Sequence, residues 1–226
     1  MALFDLDGDG DLEVVDPLLA SPGALRDHTG AVVAETGTAP SSYGVDHNLD
    51  PSQTLGLLGF SGVPAVGDLD RDGVPDVAMP LGTLKFVTSL AENGASSYQH
   101  AVGAWSGVAL QDGGATPHFS GFPRQAEDMM ILSGVAIADL TGDGVPEVIA
   151  PNAGYLVHAW DHTGAAAPGW PKHTGGWNFA TPAVGDIDGD GYLDVVTASR
   201  EGQVFAWSTD GRADQAVQWS GPRHDP

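Results

Sequence analysis

The sequence has 226 residues, of which 42% are hydrophobic and only 17% are charged, which excludes a disordered polyelectrolyte. Its 30 acidic and 8 basic residues give a formal net charge of -22, which argues against a nucleic-acid partner because phosphate binding needs Lys and Arg. The absence of cysteine excludes disulfides, thiolate metal sites and cysteine nucleophiles, and no apolar run is long enough to predict membrane insertion.

The first predicted element is an Asp-rich loop that follows the end of a strand. Residues 1–4 are typical of a strand tail without a basic region or an apolar signal core, so we expect the chain to begin inside a larger protein. Acids at alternate positions of a tight loop can direct oxygen ligands at one cation. The candidate ligands here are Asp5, Asp7, Asp9, Asp11 and Glu13. A segment rich in Ser, Gly, Asn and Pro, Thr36 to Leu55, is predicted to be an insertion.

A second copy of the loop follows a strand of small apolar residues at 61–67. Small residues are expected in the inner strands of a β-propeller, where the sheets, called blades, lie close together around a central axis. Counted from its first aspartate, it has glycine at position 6 and Arg71 at position 4, which we expect to point to solvent. Its candidate ligands are Asp68, Asp70, Asp72, the backbone carbonyl of Val74, and Asp76. A strand is predicted at 101–105, after a second insertion at Ser89 to Gln99.

The third and fourth loops follow equivalent strands at 133–138 and 179–185. A β-branched run follows each of them, and then a strand that ends in tryptophan, at 156–160 and 203–207. The candidate ligands of the third loop are Asp139, Thr141, Asp143, the backbone carbonyl of Val145, and Glu147. Those of the fourth loop are Asp186, Asp188, Asp190, the backbone carbonyl of Tyr192, and Asp194.

The spacing of the loops predicts the fold. Their first aspartates are 63, 71 and 47 residues apart, and the shortest spacing fits a propeller blade of four antiparallel strands. We therefore predict an all-β fold, a β-propeller region of about four blades in a partial ring, in which only 125–132 could be helical. The predicted blades are 1–60, 61–132, 133–179 and 180–221, followed by a tail at 222–226.

The clustering of acids predicts the metal. The four loops contain 5, 4, 3 and 4 acidic residues, which is 16 of the 30 in the chain. Ca²⁺ prefers six to eight oxygen ligands, whereas zinc and copper favour His or Cys and Mg²⁺ demands stricter octahedral geometry. A single Asp/Gly-rich loop can be only a turn, but four in register favour three to four bound Ca²⁺ ions. Thr141 lacks a charge, so the third loop should bind more weakly than the others.

The pattern Pro-Ala-Val-Gly-Asp-Leu-Asp-x-Asp-Gly-x-x-Asp-Val at 64–77 resembles the FG-GAP/VCBS repeat of integrin α-subunit propellers and many bacterial secreted proteins. This resemblance implies a propeller whose blades each hold Ca²⁺ in the loop between their first two strands. Such propellers often have seven blades, and the ending at 218–226 is similar to the segment that follows the last blade in bacterial members. The chain is thus expected to be a C-terminal portion of a ring.

These features predict an extracellular, non-enzymatic binding or scaffolding module of the adhesion type. Its calcium would be structural, and its partner would be a protein or a glycan at a cell surface. The alternatives are a glycan-binding lectin and a calcium-dependent polysaccharide lyase, since rhamnogalacturonan lyases are calcium-containing propellers with similar loops. Only 8 Lys and Arg are present to bind an acidic polysaccharide, which disfavours the lyase.

Overall fold

The computed structural model describes residues 1–16, 24–35, 57–58, 62–83, 100–112, 118–128, 130, 133–215, 217–219 and 221. In this part of the chain the protein is almost entirely β-structure, with sixteen strands and one short helix. Both predicted insertions and the C-terminal tail at 222–226 lie outside the described residues. Within the described ranges, no helix combines the length and the apolar character needed to cross a bilayer.

The strands form four antiparallel sheets that follow one another along the chain. The first sheet consists of β1 (Ala2–Phe4), β2 (Glu13–Asp16), β3 (Ala24–Arg26) and β4 (Val32–Glu35). The second consists of β5 (Leu57–Leu58), β6 (Ala65–Gly67), β7 (Asp76–Thr83), β8 (His100–Trp105) and β9 (Arg124–Ala126). The third consists of β10 (Ala136–Ala138), β11 (Glu147–Pro151), β12 (Leu156–Trp160) and β13 (Lys172–His173). The fourth consists of β14 (Ala183–Gly185), β15 (Tyr192–Ala198) and β16 (Val204–Arg212).

The predicted fold class is confirmed: the sheets are blades of an all-β partial ring. Each blade is a meander in which successive strands pair, and in the second blade β5 and β6 pair with different parts of β7. The first strands of neighbouring blades, β1, β6, β10 and β14, lie next to one another and line a common axis. The helix candidate at 125–132 is wrong at its start, because β9 extends through Ala126. The helix of the structure is α1 (Gly107–Gln111), which begins after the N-cap Ser106.

Every blade has two different faces. In the second blade, one face carries Ala65, Ala78 and Ala104, whereas the opposite face carries Val66, Val77 and Trp105. We call the first the alanine face and the second the tryptophan face. The equivalent alanine faces of the other blades carry Ala2, Val15 and Leu25 in the first, Ala136, Ile149 and Ala159 in the third, and Ala183, Val196 and Ala206 in the fourth. The equivalent tryptophan faces carry Leu3, Val14 and Arg26, then Ile137, Val148 and Trp160, and then Val184, Val195 and Trp207.

The core consists of these faces packed in sequence. One buried cluster contains the alanine faces of the first and second blades and the tryptophan faces of the second and third blades. The alanine face of the third blade joins the tryptophan face of the fourth in another. Small residues on one face leave room for the large indole on the next, as dense packing of a protein core requires.

The segment after β16 returns to the axis of the ring. Trp219 pairs with Ile137 of β10 through two backbone hydrogen bonds of 3.0 Å. The Gln218 amide holds the backbone of Asp68, since its Oε1 accepts from the Asp68 N–H and its Nε2 donates to the Asp68 carbonyl. The chain after the last blade thus connects the second and third blades.

Candidate metal centres

The four acidic loops share one backbone conformation. In each, the carboxylate at position 1 accepts a hydrogen bond from the N–H at position 6, at 3.0, 3.1, 2.7 and 3.0 Å in chain order. The glycines at position 6 have φ between +89° and +94°, a conformation that side chains rarely adopt. The glycine of the repeat is therefore required by the loop itself.

Position 4 is also left-handed, a feature that the loop sequences did not predict. Its φ is +77°, +75° and +80° at the three glycines and +65° at Arg71. Arg71 is exposed, as expected, but its Nη1 contacts the backbone carbonyl of Gly144 rather than pointing only to solvent. The second loop thus contacts the third loop.

The acid at position 9 anchors each loop to its blade. Its side chain accepts a hydrogen bond from the N–H at position 2, at 2.8 Å in Glu13, 2.6 Å in Asp76, 2.7 Å in Glu147 and 3.1 Å in Asp194. All four acids are buried, although they carry a carboxyl group. A buried carboxylate needs such partners, and a cation would offset the remaining cost.

Three of the loops bring the acids at positions 1, 3 and 9 together. In each group the ligand atoms lie within 4.8 Å of one another. The groups are Asp5, Asp7 and Glu13, then Asp68, Asp70 and Asp76, and then Asp186, Asp188 and Asp194. These three clusters could each hold a metal ion.

The donor set fits calcium. Ca²⁺ lies about 2.3–2.6 Å from its oxygen ligands, so oxygens on opposite sides of the ion are up to about 5 Å apart. Carboxylate oxygens within 4.8 Å of one another are therefore close enough to share one ion. In the second loop, the Oδ1 atom of Asp68 is buried and has no hydrogen-bond partner among the residues that the structure describes. A bound cation would satisfy this oxygen.

Positions 5 and 7 stand apart from these clusters. The carboxylates of Asp9, Asp72, Asp143 and Asp190 each accept the N–H at position 7 at 2.8 Å. They therefore hold the turn in place. The assignment of these residues, and of the position-7 carbonyls of Asp11, Val74, Val145 and Tyr192, as ligands stays a prediction.

The third loop differs at position 3. Its Thr141 hydroxyl and N–H both contact Asp139, at 3.4 and 3.0 Å. Within the described ranges no group of three acidic ligands forms around Asp139. This loop therefore contributes fewer charged oxygens than the other three.

Burial changes the ionisation of two loop acids. Burial, together with the nearby carboxylates of Asp70 and Asp72, raises the pKa of Asp76 to about 7, against the hydrogen bonds from Gly107 and Leu69, which lower it. Burial likewise raises the pKa of Glu147 to about 8, with Asp139 and Asp143 adding to the effect. Both acids bind a proton readily at neutral pH when no cation is close.

Several partners of the loop acids come from distant parts of the chain. The N–H of Gly107, at the start of α1, donates to Asp76 at 2.9 Å. The Ser208 hydroxyl donates to Asp194 at 2.8 Å. Neither residue belongs to the loop repeat, so no local signal could have identified it.

The comparison with protein families gives a match to part of the chain. Residues 139–197 match the family model of the FG-GAP-like repeat. No curated protein is similar enough in sequence to count as a relative.

Solved structures show weak overall similarity. The V. cholerae biofilm matrix protein Bap1 is 23% identical with a TM-score of 0.43, and the match covers 71% of this chain and 25% of Bap1. BBS1N in complex with ARL6DN, soaked with mercury, is 12% identical with a TM-score of 0.44, covering 97% of this chain and 53% of BBS1N. The same complex soaked with lead is 11% identical with a TM-score of 0.46, and the match covers 96% of this chain and 55% of BBS1N. The chain thus spans about a quarter to a half of these proteins.

The matched segment begins at Asp139 and ends at Thr197, so it contains the third and fourth acidic loops with the blade between them. This segment of the chain is therefore similar to the FG-GAP-like repeat.

Proposed function

We propose that this chain is a calcium-binding region of an extracellular β-propeller that serves as a binding or scaffolding module. The observation that carries the proposal is the same clustering of the acids at positions 1, 3 and 9 in three separate blades. Three carboxylates this close would repel one another without a cation. A repeated arrangement of this kind favours cation binding over a simple turn.

The calcium would be structural. Position 1 lies before the turn and position 9 lies in the second strand, so an ion between them ties the two ends of the loop together. Binding to the folded state alone stabilises the fold by mass action. We infer that each ion fixes the connection between the first two strands of its blade.

Isothermal titration with Ca²⁺ tests the number of sites, which we expect to be three, with the third loop as a weaker fourth. Asp188→Asn removes one carboxylate of the fourth cluster and should eliminate one of the sites. Asp214→Asn is the matched control, because it removes one charge from an exposed position of the same blade outside the loop. An unchanged stoichiometry in Asp188→Asn would count against the assigned cluster.

An extracellular location would suit these sites. Extracellular calcium modules have dissociation constants of about 10⁻⁴–10⁻³ M, so millimolar calcium fills even modest sites. We propose a protein or glycan at a cell surface as the partner. A glycan array with the calcium-loaded protein distinguishes these two, because specific binding to a saccharide would identify a lectin.

We infer a non-enzymatic role. The lyase alternative is tested with polygalacturonan and rhamnogalacturonan, by following the ultraviolet absorbance of the unsaturated product. We expect no product above a blank, and calcium-dependent turnover would replace the scaffold proposal with a lyase.

A further inference from the structure

The third acidic loop carries the fewest acids of the four, yet other parts of the chain cover it on two sides. A Cβ on its Gly142 would lie 2.6 Å from the backbone carbonyl oxygen of Asp210. A Cβ on its Gly144 would lie 2.7 Å from Nη1 of Arg71. The second blade also has a neighbouring blade on either side, but a Cβ on Gly73 of its loop would meet no described atom within 4 Å. The third loop is therefore held by contacts that the second loop lacks.

The fourth blade supplies one of these contacts. The N–H of Asp210, in β16, donates to the backbone carbonyl of Leu140 at 3.1 Å. A Cβ on the neighbouring Gly211 would overlap with the carbonyl oxygen of Asp139, so the two backbones lie directly against each other. Asp139 and Leu140 are positions 1 and 2 of the third loop. The start of this loop is therefore fixed by the backbone of the next blade.

The second blade supplies the other contact through Arg71. Its Nη1 donates to the backbone carbonyl of Gly144, which is position 6 of the third loop. Arg71 occupies position 4 of its own loop with φ +65°, where the other three loops have glycine. A left-handed backbone disfavours any residue with a Cβ, so the conformation of the second loop does not account for an arginine at this position. The contact with the third loop does account for it.

Arg71 also brings a positive charge to the loop that lacks one acid. Its guanidinium and Asp139 line the same cavity of about 290 Å³ between the second and third loops. Position 3 is aspartate in the other three loops, whereas it is the uncharged Thr141 in the third. Arginine stays protonated in proteins, so this charge is permanent, and a chelator cannot remove it. The loop with the fewest carboxylates for a cation is thus the loop that receives a fixed one.

We propose that Arg71 takes the place of a calcium ion in holding the third loop closed. The guanidinium and the backbone of Asp210 fix this loop whether or not an ion is bound, whereas the other three loops depend on calcium. The inference rests on the proposed function for the role of calcium in those three loops, and it adds a support for the third loop that no ion supplies. A cation close to the guanidinium would be repelled, which agrees with the weaker binding expected there.

Amide hydrogen exchange, followed by NMR, tests this in all four loops at once. In each loop the N–H at position 6 donates to the carboxylate at position 1, so four amides report the same hydrogen bond, namely those of Gly10, Gly73, Gly144 and Gly191. In the wild type, EDTA should lower the protection of the other three amides about tenfold or more, but that of Gly144 by less than about twofold.

Arg71→Gly is the decisive variant, because it gives position 4 the residue of the other loops and removes the side chain that reaches the third. In EDTA, Gly144 should lose about tenfold or more of its protection in this variant, while the amides of β11 keep theirs. Arg124→Ala is the matched control. It removes one exposed positive charge from β9 of the same blade and should leave the exchange of Gly144 unchanged.

Three results would overturn the proposal. They are a wild-type Gly144 amide that loses as much protection in EDTA as the other three, an unchanged Gly144 amide in Arg71→Gly, and an equal loss in Arg124→Ala. If the amides of the other three loops keep their protection in EDTA, the structural role of calcium is wrong. The comparison of Arg71→Gly with the wild type then still decides whether Arg71 holds the third loop.

Discussion

Position 6 of the acidic loops allows a test in which only the backbone conformation matters. Gly191 has φ +89°, and a Cβ at this position would meet nothing within 4 Å. Gly191→Ala therefore creates no steric clash with other parts of the protein, and its effect is the strain of a left-handed alanine. That strain is about 1–2 kcal/mol, which we expect as a loss in the free energy of unfolding.

Gly185 is a matched control in the same blade. A Cβ there also meets nothing within 4 Å, but its backbone is not left-handed. Gly185→Ala should leave stability unchanged or raise it by about 0.5–1 kcal/mol, because alanine loses less conformational entropy than glycine on folding. Urea denaturation in dilute, calcium-containing buffer measures both variants. If Gly191→Ala is no more destabilising than Gly185→Ala, the loop conformation is not what selects glycine.

Three other predictions concern stability. Trp105 is fully buried between the first and second blades, so Trp105→Ala should lower the free energy of unfolding by about 3–5 kcal/mol. Trp177 is only half-buried, so Trp177→Ala should lower it less. Urea denaturation measures both variants. Burial lowers the pKa of His100 to about 4, so the unfolded state binds more protons and stability falls as pH decreases from about 6.5 to 4, by up to about 3 kcal/mol. A pH series of melting curves should show a smaller decline in His100→Gln, and an equal decline would contradict this assignment. Gln218→Ala removes both contacts with the Asp68 backbone and should lower the free energy of unfolding by about 1–3 kcal/mol, as measured by urea titration. An unchanged free energy of unfolding would show that the segment after β16 does not hold the second loop.

The repeated elements could be predicted because their physical requirements are local. A loop with acids at alternate positions recurs four times, and each recurrence is a strand–loop–strand unit in the structure. The acids at positions 1, 3 and 9 meet as expected in three of these units. The spacing of these acids along the chain was sufficient to predict that they meet, because a tight turn brings the three positions together.

The partners contributed by the rest of the fold could not be predicted. Gly107 is 31 residues from Asp76, and Gln218 is 150 residues from Asp68. Their contacts depend on where a helix begins and on where the chain returns after the last blade, and neither is encoded near the loops. Arg71 shows the same limit, since its distance from the third loop is set by the packing of two blades.

The acid at position 9 belongs to the sheet and to the candidate metal centre together. In all four blades it pairs with the residue that precedes the first aspartate of the loop, as Phe4 with Glu13, Gly67 with Asp76, Ala138 with Glu147 and Gly185 with Asp194. A slip of one residue between the two strands would move this acid to the opposite face of the blade. The cluster at positions 1, 3 and 9 then could not form, and the alanine and tryptophan faces would exchange their side chains. An ion held by these three acids would therefore favour the one register that also gives each blade the correct faces for its neighbours.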